Sequence, residues 1–411
     1  MSDFSNVPEE IKNLIERIKA AGFEVYLVGG CVRDMLLGWI PGDYDVCTSA
    51  TPDEIKVLFN RVVNTGLRFG TVMVKAGRYN VEVTTFRTGL ISTDGKRLKA
   101  AGFSKNVIED VSKRDFTINA LLFDGEKVID YVAGLADLAS GIIRAVGSAK
   151  ERFAEDPLRM LRAVRLSGQL NFNIEKNTKE AIIADAPKLS AVSAERIRDE
   201  LKKIVLLPIQ SGAIKLLHEL GLWEAIFPKL SWTPLVEKLT GNTRPNLFLR
   251  IAALIKGSVF KPGCSVQGIL RNLRFDRNLV SVVSMLILEE IPVIRDWSAL
   301  EKKKMINRVG VKHVNLLFDF WRAQVLSGTS DENIADLDKA EEEVMAIIER
   351  GEPLQISDLA IKGDDLINAG ICQGPEIRRV LNSILEKVLE KPDLNDRETL
   401  VNIISQYSSG Q

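Results

Sequence analysis

The residues with the clearest chemical meaning lie near the start of the chain, where a glycine turn precedes two closely spaced acids. Gly29 and Gly30 follow the apolar run Val25 to Val28. This pattern predicts a buried strand that ends in a turn where the backbone can approach a phosphate closely. Asp43 and Asp45 are one residue apart, so on a strand both carboxylates project from the same face and can share divalent ions. Mg²⁺ prefers carboxylate and phosphate oxygens. The combination therefore predicts metal-dependent nucleotidyl transfer.

A third acid belongs to the next strong strand pattern, Tyr79 to Phe86. Alternation along that strand places Glu82 on the face opposite Val81 and Val83. Three carboxylates on neighbouring strands suit a two-metal site. The alternative for Glu82 is an ordinary solvent-facing position, just as an isolated Gly-Gly or Asp-x-Asp is usually only a turn or a loop.

These residues need an α/β scaffold, and the patterns up to about residue 140 supply one. Val32 to Leu37 reads as the first turns of a helix after the glycine turn, and Thr51 with Glu54 predicts a capping box with Pro52 at the first helical position. Beyond Gly147 strand patterns largely stop and helical periodicity continues. Breaks in it fall at Phe227-Pro228, Gly241 to Pro245, Lys261 to Gly263 and Gly351 to Pro353.

Composition limits the class of protein. A length of 411 residues with 45% hydrophobic content allows two to four domains. The four cysteines form neither a disulfide framework nor a C-x-x-C pattern, and the start of the chain lacks a signal peptide. No uncharged apolar run approaches the ~20 residues of a membrane helix. We therefore expect a soluble, cytoplasmic protein with no membrane partner, and two histidines exclude a histidine-based metal site.

The formal net charge is zero, which argues mildly against an RNA partner unless basic residues are segregated. They cluster at Arg159, Arg162 and Arg165, at Arg196, Arg198, Lys202 and Lys203, and at Lys302, Lys303, Lys304, Arg308 and Lys312. The alternative for each cluster is an ordinary solvated helix face.

The chain resembles the class II tRNA nucleotidyltransferases, that is, the CCA-adding enzymes and their bacterial poly(A) polymerase relatives. The resemblance covers nearly the whole chain in five ordered segments. They are Leu27 to Asp45, Glu109 to Ala120, Glu155 to Arg165, Leu189 to Leu201 and Leu359 to Asn368. It implies an α/β polymerase-β-like nucleotidyltransferase head (1–140) followed by an all-α neck with nucleotide-selecting helices (141–205), body (206–290) and tRNA-binding tail (291–411).

The resemblance also implies site roles. Asp43 and Asp45 would hold Mg²⁺, and Glu82 would help to activate the terminal 3′-hydroxyl of tRNA. The positions matching the nucleotide-binding residues are Gly29, Gly30, Arg33, Arg114, Asp156, Arg159, Arg162 and Arg165. Arg33 follows the glycine turn and is well placed for a triphosphate, with anchoring of Asp34 or Asp43 as the structural alternative.

Asp156 and Arg159 carry the most specific expectation, because three residues apart on a helix their side chains would be neighbours. Asp156 would accept from the exocyclic amine that cytosine and adenine share, and Arg159 would donate to the adjacent ring nitrogen. Guanine and uracil would leave buried polar groups unpaired. The alternative is a plain surface ion pair. Helix geometry assigns Arg162 to a flank of the base or its phosphates and Arg165 to a more distant or structural role.

Residues 88–103 depart from the family pattern, since Asp94-Gly95 is displaced and an Arg-Arg-Pro is absent. The interval to Arg114 is not visibly shortened, so we expect terminal A addition. Gly89, Gly95 and Gly102 suit a mobile lever between the metal site and the base pocket, with a passive surface connection as the alternative. The predicted function is template-free addition of CCA to the tRNA 3′ end from CTP and ATP. The alternatives are an enzyme adding only CC or only A, a poly(A) polymerase, and a non-catalytic RNA-binding protein of the same fold. The sequence does not indicate the oligomeric state.

Overall fold

The computed structural model describes residues 7–66, 70–89, 92–93, 97–98, 102–208, 212–368 and 374–408. It forms two compact units, Met1–Ser231 with Asn272–Arg274, and Trp232–Arg271 with Phe275–Gln411. The finer boundaries at 140, 205 and 290 remain predictions.

The strands are short and concentrated in the first half of the chain. They are Val25–Val28 (β1), Asp45–Thr48 (β2), Val62–Gly66 (β3), Thr71–Ala76 (β4), Tyr79–Thr85 (β5), Arg87–Gly89 (β6), Ser92–Thr93 (β7), Arg97–Leu98 (β8), Gly102–Phe103 (β9), Leu122–Phe123 (β10), Val128–Ile129 (β11), Ile142–Ile143 (β12), Asn173–Ile174 (β13), Leu230–Ser231 (β14) and Val259–Phe260 (β15). Seven of them form one mixed sheet in the order β11-β10-β1-β2-β5-β4-β3. Only β2 and β5 run parallel in it.

Helices account for most of the rest. They are Glu9–Ala20 (α1), Gly30–Leu36 (α2), Pro52–Leu58 (α3), Val107–Ser112 (α4), Gly134–Ser140 (α5), Ala149–Glu155 (α6), Leu158–Leu170 (α7), Lys176–Asp185 (α8), Ala194–Val205 (α9), Ala213–Glu219 (α10), Leu222–Ile226 (α11), Pro234–Gly241 (α12), Leu247–Lys256 (α13), Val266–Asn272 (α14), Arg277–Leu288 (α15), Ala299–Val309 (α16), Val314–Leu326 (α17), Ile334–Glu349 (α18), Gly363–Asn368 (α19), Pro375–Glu390 (α20) and Arg397–Ser408 (α21). Three of the four predicted breaks fall between helices, the break at Gly241 to Pro245 begins at the last residue of α12, and the described strands beyond Gly147 are two residues long. The expected α/β head followed by helices is confirmed.

Local rules explain where these elements begin. Thr51 Oγ1 accepts from the Glu54 N–H at 3.4 Å, and Glu54 Oε2 accepts from the Thr51 N–H at 2.7 Å. With Pro52 at the first position, α3 therefore starts as the capping box predicts. On β5, Val81 and Val83 are buried and Glu82 is exposed, which confirms the predicted alternation.

The long segment 88–103 is described only in part. Its ends pair as β6 with β9, and β7 pairs with β8 inside it. Asp94-Gly95 lies outside the described residues. The lever role predicted for this segment therefore remains a prediction.

Two lysines of the third basic cluster are neither a solvated face nor free for RNA. Lys302 and Lys303 are 7% and 9% exposed, and each Nζ lies 2.5 Å from a carboxylate, Glu343 and Glu352 respectively. The Lys302 ammonium also lies over the Trp297 ring at 5.5 Å. The predicted RNA-binding cluster and its alternative, a solvated helix face, are both wrong for these two lysines, because helix packing places them against acids that are distant in sequence. Among the described helices, none combines the length and apolar character needed to cross a bilayer.

Candidate active site

The glycine turn lies against one of the predicted acids. β1 ends at Val28, and Gly29 has φ +83° and ψ −140°, a conformation that only glycine adopts readily. A Cβ on Gly29 would lie 3.5 Å from Asp45 Oδ2, so the turn and that carboxylate are in contact distance. The predicted strand and turn are confirmed. Helix α2 begins at Gly30, two residues before the expected start.

The strands bring Asp45 and Glu82 together. Asp45 is the first residue of β2 and lies in register with Val28 on one side and Glu82 on the other. Asp43 lies before the strand, so the expectation that both acids alternate along one strand is wrong. The two strands are antiparallel, so Val28, the last residue of β1 before the turn at Gly29, pairs with Asp45 at the start of β2.

The electrostatics of these acids suit a cation. Burial, and then the negative charges of Asp43 and Glu82, raise the pKa of Asp45 to about 6, although Arg114 and Arg162 act to lower it. Carboxylate oxygens with excess negative charge are suitable ligands for Mg²⁺. A bound Mg²⁺ would complete its coordination with water and phosphate oxygens. Within the described residues no group of three or more His, Cys, Asp or Glu side chains is arranged to hold a metal ion.

Arg33 is anchored rather than free. It is 4% exposed, donates from Nε and Nη2 to Asp34 Oδ1 at 2.9 and 2.6 Å, and donates from Nη1 to Asn119 Oδ1 at 2.7 Å. The alternative in which Arg33 anchors Asp34 is therefore confirmed. A Cβ on Gly30 would lie 3.5 Å from Arg33 Nη2, so the guanidinium nevertheless lies beside the glycine turn.

Arg114 is also paired within the protein. Its Nη2 donates to Asp110 Oδ2 at 2.8 Å, and the Asp110 carboxylate is fully buried. The charge of Arg114 acts to lower the pKa of Asp45, and its role in nucleotide binding remains a prediction.

Asp156 and Arg159 do not share a helix, and that expectation is wrong. α6 ends at Glu155, Asp156 is extended with φ −151° and ψ 101°, and α7 begins at Leu158. The residue before a proline is driven out of the helical region, and Pro157 follows Asp156. The Asp-Pro pair in the sequence was the signal that predicts this break.

Each of the two residues has partners of its own. Asp156 Oδ2 accepts from Arg196 Nη2 at 2.7 Å, and its Oδ1 accepts from Arg196 Nη1 at 3.2 Å. Arg159 Nη1 donates to Glu155 Oε2 at 2.9 Å, and its Nη2 donates to the Lys113 carbonyl at 2.8 Å. The surface ion pair considered as the alternative is therefore not formed either. Arg196, which the sequence presented only as part of a basic cluster, lies at this junction.

Arg162 and Arg165 diverge as helix geometry predicts. Arg162 Nε donates to Asp115 Oδ2 at 2.8 Å, and its charge also acts on the pKa of Asp45. Burial acts to raise the pKa of Asp115, but the charge and hydrogen bond of Arg162 outweigh it and hold the pKa at about 2. Arg165 Nε donates instead to Glu200 Oε2 on α9 at 2.8 Å, which favours a structural role.

Comparison with known proteins identifies the family. The family model "Poly A polymerase head domain" matches residues 25–144, "Probable RNA and SrmB- binding site of polymerase A" matches 171–233, and a model of tRNA nucleotidyltransferase domain 2 matches 298–404. The CCA-adding enzyme of Leuconostoc mesenteroides is 34% identical over 421 residues, covering 99% of each chain. This chain belongs to the CCA-adding enzyme family.

Other members of the CCA-adding enzyme family support the assignment. The enzyme of Lactiplantibacillus plantarum is 49% identical over 196 residues, covering 47% of this chain and 48% of its own. The crystal structure of the Bacillus stearothermophilus CCA-adding enzyme in complex with CTP superposes with a TM-score of 0.77 at 27% identity, covering 98% of each chain. The chain is thus a nucleotidyltransferase with the family fold over its full length.

Proposed function

We propose that this chain is a Mg²⁺-dependent nucleotidyltransferase that adds CCA to the 3′ end of tRNA from CTP and ATP without a nucleic-acid template, in the cytoplasm. The observation that carries the proposal is the register of Asp45 with Glu82 beside the Gly29 turn. The full-length likeness to CCA-adding enzymes supports it over a poly(A) polymerase.

The carboxylates divide the chemistry between them. Asp43 and Asp45 would hold Mg²⁺, which when bound supplies charge stabilisation for the triphosphate and the attacking oxygen. Glu82, in register with Asp45 and exposed, is available to accept the proton of the terminal 3′-hydroxyl. The backbone N–H groups at the start of α2 face the same turn and can donate to phosphate oxygens.

Base selection falls to the junction between α6 and α7. Asp156 Oδ1 accepts from Arg196 and from the Leu158 N–H, whereas Oδ2 accepts only from Arg196 among the described residues, so one lone pair of Oδ2 remains for an exocyclic amine. Arg159 Nη1 donates to the Arg152 carbonyl and to the Glu155 carboxylate, and its Nη2 donates to the Lys113 carbonyl. Among the described residues its Nε has no acceptor and is available to a base. Together these groups match the edge that cytosine and adenine share.

The decisive experiment offers each nucleotide separately to three tRNA substrates, ending before CCA, after C and after CC. The proposal expects C, C and A to be incorporated in that order, with UTP and GTP rejected. Addition of C but never A would support the CC-only alternative, and addition of A alone the A-only one. Repeated A addition without a limit would indicate a poly(A) polymerase. Binding of tRNA with no incorporation would leave only the non-catalytic alternative.

A further inference from the structure

A polar pocket lies at the end of α7 remote from the base-selecting junction. It has a volume of about 330 Å³ and lies within the first compact unit. α7 runs from Leu158 to Leu170, so at ~1.5 Å per residue its two ends are roughly 18 Å apart. The pocket therefore lies far from Asp156, and none of Asp43, Asp45 and Glu82 lines it.

The charged residues around this pocket are unbalanced in favour of cations. Its lining includes Lys179 of α8 and Lys215 of α10, against one acid, Glu219. The Lys215 Nζ lies 3.9 Å from Glu219 Oε1, at the limit of an ion pair. Lys179 is half-buried, and its ammonium has no hydrogen bond or ion pair with any residue that the structure describes. A lysine ammonium without a counter-ion favours an anionic ligand.

Neutral donors complete the lining. Asn171 and Asn173 both line the pocket, and neither side-chain amide hydrogen-bonds another described residue. The backbone fixes the position of both residues. Asn171 adopts φ +56° and ends α7, and the Asn173 N–H donates to the Gly141 carbonyl at 2.9 Å. The Ser167 hydroxyl donates to the Phe172 carbonyl at 2.6 Å and holds the turn between them. Two ammonium groups and two amides are suitable donors for phosphate oxygens.

We propose that this pocket binds a backbone phosphate of the RNA substrate, an inference that rests on the proposed function. Nine of the ten lining residues fall within 171–233, the segment that matches the RNA-binding family model. A separation of ~18 Å from the junction corresponds to about five stacked nucleotides at ~3.4 Å each. That distance exceeds the three nucleotides being added, so the phosphate belongs to the acceptor-stem strand of the tRNA.

The test replaces the two lysines by glutamine, singly and together, with Lys176→Gln as the matched control. Lys176 lies on the same helix, its side chain is 85% exposed, and it does not line the pocket. For the Lys179→Gln, Lys215→Gln double variant we expect the KM for tRNA lacking CCA to rise about tenfold at moderate salt. The slope of log affinity against log salt concentration should fall by about 0.8, one phosphate contact. The KM for CTP and kcat at saturating tRNA should stay within about twofold of the parent.

The control and a labelling arm separate the possible sources of phosphate. Lys176→Gln should leave the tRNA KM and the salt slope unchanged. Lys179 should be protected from an amine-acylating reagent, read by mass spectrometry, when tRNA is added and not when inorganic phosphate is added. Protection by inorganic phosphate but not by tRNA would overturn the RNA assignment, as would a double variant with the parent's tRNA KM and salt slope. Failure of the parent itself to incorporate nucleotides would instead refute the proposed function.

Discussion

Replacing Asp115 by asparagine tests whether Arg162 serves the nucleotide site while Arg165 serves only the fold. Asp115 is 9% exposed and pairs with Arg162, and its carboxyl pKa is about 2 instead of 3.8. At ~1.4 kcal/mol per pKa unit, that difference corresponds to about 2.5 kcal/mol of stability at neutral pH. The Arg162 side chain is 37% exposed and can be partly hydrated after the change, so we expect a loss of about 2 kcal/mol.

The pH dependence of this loss has a defined sign. Because the folded-state pKa of Asp115 is depressed, its contribution is present above pH ~3.8 and disappears as the pH falls towards about 2. Urea unfolding of the parent and of Asp115→Asn should therefore differ at pH 7, and the difference should shrink below pH 4. Asparagine keeps an acceptor for the Phe116 N–H, which donates to Asp115 Oδ1 at 2.8 Å, so the local turn is retained.

Glu200→Gln is the matched control, because Glu200 pairs with Arg165 at the same 2.8 Å separation from the same helix. Both variants should lose stability. After correction for the folded fraction, only Asp115→Asn should lose kcat/KM for CTP, by at least ~10-fold, because Arg162 then lacks the partner that holds it near Asp45. Equal losses of kcat/KM in the two variants would refute the distinction between the two arginines.

Four further outcomes follow from the same site. Asp45→Asn should lower incorporation of both CTP and ATP by at least ~100-fold with an unchanged circular dichroism spectrum, and near-normal incorporation at saturating Mg²⁺ would contradict its role. Asp156→Ala should relax rejection of UTP and GTP in single-nucleotide assays; undiminished rejection would remove it from base selection. Excess EDTA should stop incorporation and added Mg²⁺ should restore it, whereas turnover in EDTA would exclude metal dependence. Shortening residues 92–96 should suppress A addition to tRNA ending in CC while sparing C addition, and equal losses would indicate general damage.

Local patterns were sufficient for the elements that carry the site. The run Val25–Val28, the Gly29 turn and the alternation around Glu82 depend on periodicity and on the conformational freedom of glycine, and the structure agrees with all three. The break at Asp156 is equally local, since Pro157 specifies it, and the i,i+3 spacing to Arg159 does not carry a helix across the proline.

The partner of each charged side chain was decided only by tertiary structure. Arg162 meets Asp115 across 47 positions and Arg196 meets Asp156 across 40, and neither pairing follows from spacing. A periodic pattern predicts which face of a helix is buried but not which distant carboxylate will face it. The sequence alone therefore determined the family and the glycine turn, and it predicted which carboxylates would hold the metal. Tertiary packing around α7 determined that Arg162 pairs with Asp115 and Arg165 with Glu200.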